Sequence, residues 1–87
     1  MNQYKQDLVG REVRGVFQDH PYTGVITESI QERYGWNHII RLDKAITLRY
    51  NNPTQTRANN RMVLNHVNFS THYQETVSDR NTLTIVG

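Results

Sequence analysis

Arg11–Arg33, REVRGVFQDHPYTGVITESIQER, is the stretch whose reading decides the fold. Val13, Gly15 and Phe17 alternate with Glu12, Arg14 and Val16, close to the period of two that marks a half-buried strand. After Asp19, a turn is expected at His20–Pro21, because proline cannot donate to a ladder. Tyr22–Ile30 then places Val25, Ile26 and Ile30 among Thr and Glu, and β-branched side chains suit a pleated surface. Gly15 and Gly24 fall inside these strands, where glycine marks a bulge, a bend or a close backbone approach. Two bent strands in succession imply a sheet that curls.

The rest of the chain continues the pattern. Tyr34-Gly35 reads as a tight connection. Trp36–Leu42 is expected as a third strand, with Trp36, His38, Ile40 and Leu42 facing one way. Asp43-Lys44 reads as a turn or bulge, and Ala45–Tyr50 as a fourth strand. NNPTQTRANN, residues 51–60, is a long polar loop. Arg61–Phe69 is a fifth strand with apolar residues on both faces, Met62 and Leu64 on one and Val63, Val67 and Phe69 on the other, as suits a strand buried on both sides or one crossing a barrel corner. Thr71 and Gln74 have capping-box spacing, so a helical turn is expected there. Thr82–Val86 closes the count as a last short strand. Residues 1–9 are read as an arm or a short helical turn with Tyr4 and Leu8 on one side. The expectation is an all-β chain, a single domain over 1–87. It takes the form of a small barrel of about five or six short antiparallel strands with little helix.

Gly10-Arg11-Glu12-Val13-Arg14-Gly15-Val16, followed by Tyr22-Thr23-Gly24-Val25-Ile26, resembles the opening of SH3-like small barrels, including the KOW type. The order of strands extends the likeness over most of the chain. The ten-residue polar loop departs from the KOW pattern. KOW domains often bind RNA or RNA-associated proteins, and that is what the resemblance implies. The size and the asparagine content also look like those of small phage or plasmid proteins.

Composition bounds the chemistry. With 87 residues and no cysteine, disulfides, thiolate zinc sites and cysteine nucleophiles are excluded. No apolar run approaches a membrane span and no leader is visible, so a cytoplasmic location without membrane contact is expected. The serines sit in no nucleophile elbow and there is no phosphate-cradling glycine loop, so no enzyme activity and no cofactor are expected. The histidines have no metal-ligand spacing.

The formal charge is only +2, but it is unevenly spread. Residues 1–43 hold six acids and five bases, whereas Lys44–Gln74 holds four bases and no carboxylate. Arginine offers a planar fork to phosphate, aromatic rings stack on bases, and asparagines hydrogen-bond base edges. The expected site is therefore Lys44, Arg49, Tyr50, Arg57, Asn59, Asn60 and Arg61, with Tyr34 and Trp36 flanking the preceding turn. The expected function is a non-catalytic module binding nucleic acid, RNA or DNA, through this basic and aromatic face. The alternative is a small protein-binding module, of the kind a phage uses as an inhibitor or adaptor on a host complex. Five Tyr and eight Arg suit an interface. A homo-oligomer is compatible with either reading, because a small sheet exposes edges.

Overall fold

The computed structural model describes residues 3–50, 60–71 and 81–86, with backbone only for Tyr50 and Asn60. Its elements are five strands: β1 (Glu12–Phe17), β2 (His20–Glu32), β3 (Gly35–Tyr50), β4 (Asn60–Ser70) and β5 (Asn81–Val86). They form one antiparallel sheet in the order β4-β3-β2-β1-β5. The all-β class is as expected. Of the helical turn expected over residues 70–75, all but Ser70 and Thr71 lies outside the described residues, as do positions 51–59 of the polar loop.

Three expectations are corrected. First, the β1–β2 turn is at Gln18–Asp19, not His20–Pro21: Phe17 pairs with His20 and Val16 with Pro21. Gln18 and Asp19 have φ of 47° and 68°, which a two-residue turn matching strand twist requires. The Asn81 carboxamide accepts the Gln18 N–H at 3.0 Å and helps hold this conformation. Pro21 is tolerated because Ile26 exchanges hydrogen bonds with Arg11 and Gly10. By alternation, even residues of β2 address β1 and odd ones face away. On that other side β3 pairs only from Gly24 onward, so the donor that Pro21 lacks is not missed.

Second, the strands are not all short. The expected third and fourth strands are one 16-residue strand, β3, and Asp43-Lys44 is a bulge within it. Arg41 pairs with His66 and Ile46 with Leu64, so four residues of β3 (42–45) oppose one of β4, Asn65. Three extra residues is an odd number, so the facing parity changes. Ile40 sits opposite Val67, but Leu48 sits opposite Met62. That is why the inward apolar residues of β4 switch parity between Leu64 and Val67, while those of β3 stay even throughout, and why Val63, expected on the face of Val67 and Phe69, is exposed on the other face. A bulge also bends the strand.

Third, the sheet is not closed into a barrel. β4 and β5 are its edges, and they approach one another without a ladder. β5 has six residues and spends them all against β1.

One face of the curved sheet carries the core: Val13, Tyr22, Ile26, Ile40, Leu42, Ile46, Leu48, Val67, Phe69 and Leu83 are buried in one cluster. The N-terminal segment covers this inner face. Leu8 is buried in the cluster, and the Tyr4 ring meets Phe69 edge-on at 5.9 Å. Both glycines of the opening strands mark close approaches. A Cβ on Gly15 would lie 2.0 Å from the Thr82 carbonyl oxygen, and one on Gly24 would lie 2.3 Å from that of Arg41.

Candidate nucleic-acid interface

The outer face, opposite the core, is read from the same register. Along β3 and β4 it carries the facing pairs Ile39–Asn68, Arg41–His66, Thr47–Val63 and Arg49–Arg61. Among the described residues this face is two strands wide beyond the bulge, because β2 pairs with β3 no further than Leu42. Arg49 and Arg61, both exposed, stand directly opposite each other. Facing residues on neighbouring strands have Cβ atoms about 5 Å apart, and like charges there repel. Among the described residues neither guanidinium has a carboxylate in ion-pair contact. The glutamates of the outer face, Glu12, Glu28 and Glu32, stand on β1 and β2, opposite Val25, Ile39 and Gly35. Asp43 accepts the Thr23 hydroxyl at 2.9 Å.

The other expected site residues are placed as follows. Lys44 is exposed in the bulge and lines a cleft of about 440 Å³ with His20–Thr23 and Ala45–Thr47, where β2 and β3 part. The backbone of Tyr50 pairs with that of Asn60 at the far end of the ribbon. Arg57 and Asn59 lie outside the described residues. Tyr34 is exposed in the β2–β3 turn, with the Arg33 guanidinium 5.6 Å from its ring centre. Trp36 is half-buried and stacks on His38, with ring centres 6.3 Å apart. Its backbone N–H donates to the Thr71 hydroxyl at 3.0 Å. Thirteen strand positions separate Trp36 from Arg49, on the order of 40 Å of extended chain. The structure therefore brings Arg49 and Arg61 together and sets Tyr34 and Trp36 at the opposite end of β3.

Arg41 and His66 join this face with no signal in the charge pattern, because Arg41 precedes the acid-free window and only the register sets its partner. The unusual polar cluster is on the inner side. His38 is fully buried; its Nε2–H donates to the Tyr4 carbonyl at 2.7 Å. The carbonyl can only accept, so in the tautomer with its one proton on Nε2 the ring accepts a hydrogen bond from the Ser29 hydroxyl at Nδ1, at 2.8 Å. Ser29 Oγ in turn accepts the Leu8 N–H at 2.9 Å. Every polar atom is used, and the cluster ties the N-terminal segment to the sheet. His38 alternates with Trp36 and Ile40 in the sequence, which is the signal of such a core histidine.

No protein-family model, curated protein or solved structure matches the chain. Among the described residues no group of three or more metal-ligating side chains is found, and no helix is long and apolar enough to cross a membrane.

Proposed function

We propose that this protein is a non-catalytic module that binds nucleic acid through the outer face of the β3–β4 ribbon. The observation that carries the reading is the Arg49–Arg61 pair: two exposed cations held face to face with no described carboxylate between or beside them. Such a pair costs the free protein energy, and a phosphate placed over it turns the cost into attraction. Arg41 and His66 continue the same face, and Lys44 lies in the bulge between the two pairs. The strand order, with β5 beside β1, is compatible with the SH3-like resemblance, which implies RNA or RNA-associated proteins as partners.

Phosphate contacts release counterions, so affinity should fall with salt. Two arginine contacts correspond to a loss of roughly tenfold between 50 and 200 mM salt. Binding to mixed RNA and DNA fragments, measured across that range, tests the proposal. Arg49→Glu with Arg61→Glu should abolish retention at low salt. Unchanged binding by the double variant, or no retention of any nucleic acid, sinks it.

A second reading is favoured by a different observation. Val63 and Met62, 58% and 49% exposed, lie on edge strand β4. An edge that is unpaired among the described residues and carries two exposed apolar side chains suits a protein partner, as a phage-type adaptor on a host complex would require. Association that persists after nuclease treatment, and is lost with Val63→Lys, favours this reading over the first.

A further inference from the structure

We infer that the nucleic acid is a B-form DNA duplex, entered through its major groove by the two-stranded end of β3 and β4. This deepens the proposal above and rests on it. Width is the first ground. Among the described residues the outer face past Ile46 consists of two strands, about 4.8 Å apart, and the major groove of B-form DNA is about 12 Å wide. A two-stranded ribbon lying flat fills such a groove. The opposite face of this ribbon is not free to do so: Ile46 and Leu48 belong to the buried core, so only the Thr47, Arg49, Arg61 and Val63 side can be presented.

The side chains supply the second ground. Arg49 and Arg61 stand one on each strand, so their guanidinium groups can reach the two walls of a groove, or a guanine edge on its floor. Thr47 and Val63, the adjacent facing pair, put methyl groups where a thymine methyl projects. The third ground excludes the alternatives. Single strands are held mainly by stacking on aromatic rings, and the described outer face of this ribbon has no Phe, Tyr or Trp. Duplex RNA has a deep, narrow major groove that a ribbon cannot enter.

The experiment compares one sequence as duplex DNA, duplex RNA and single-stranded DNA, by fluorescence anisotropy at low salt with the full chain. Duplex DNA should bind about tenfold or more tightly than either of the others. Duplexes with bulky C5 substituents on their pyrimidines, which fill the major groove, should lose binding without any change to the protein. Equal or tighter binding of single strands or duplex RNA overturns the inference, as does indifference to the C5 groups; in both cases the broader nucleic-acid reading survives. If none of the three is bound, that broader reading fails and this inference fails with it.

Discussion

Tyr22 ties three strands at a point. It faces Gly15 across the β1–β2 ladder, and its phenol donates to the Thr82 carbonyl of β5 at 3.0 Å. The absent Cβ of Gly15 is what lets that carbonyl come so near. Gly15→Ala should therefore cost about 1–3 kcal/mol or more, read from urea unfolding, because backbone must move to admit one methyl. Tyr22→Phe should cost about 1 kcal/mol at neutral pH. Burial pushes the Tyr22 phenol above its ordinary value of 10.0. Below pH 10 both folded and unfolded chains keep this proton, and the contribution is complete. Above it the unfolded chain ionises first, so stability falls by up to about 1.4 kcal/mol per pH unit. Denaturant melts from pH 9 to 11 should show that limb in the parent and a shallower one in Tyr22→Phe. Gln18 has the opposite character, since its φ of 47° suits asparagine better. Gln18→Asn keeps the N–H bonded to Asn81 and should stabilise by about 0.5–1 kcal/mol in the same assay.

Among the elements, the strands of the opening hairpin were legible because their apolar residues alternate. Its turn was not, since proline drew it two residues too far, and the positive φ of Gln18 has no signature in composition. The N-terminal segment was ambiguous for a clear reason. Tyr4 and Leu8 share a side in a helical turn or in a folded strap, and only the buried Ser29–His38 cluster selects the strap. Ser29→Ala leaves the Leu8 N–H and His38 Nδ1 without partners, at about 1–3 kcal/mol for each buried orphan. Hydrogen exchange should show the Leu8 amide losing protection well before the β2–β3 ladder. Equal loss throughout would mean that the strap and the sheet open as one unit.

Across the whole molecule, charge is segregated rather than abundant. The acid-free window of the sequence became a physical surface only in part. Register placed Arg49 beside Arg61 and Arg41 beside His66, while the length of β3 carried Tyr34 and Trp36 to the other end. No reading of composition contains that distance, because it follows from two expected strands being one. The extents of 49 × 26 × 20 Å reflect the same continuity. That joint at residues 42–45 also sets a rule for how the chain can vary in length. Adding or removing one residue there inverts every side chain beyond it, turning Ile46 and Leu48 out to water and Arg49 in. Adding two restores the sidedness and merely lengthens the joint. Libraries of insertions at this point should thus yield folded protein at even counts and aggregates at odd ones, a tolerance governed by arithmetic rather than by chemistry.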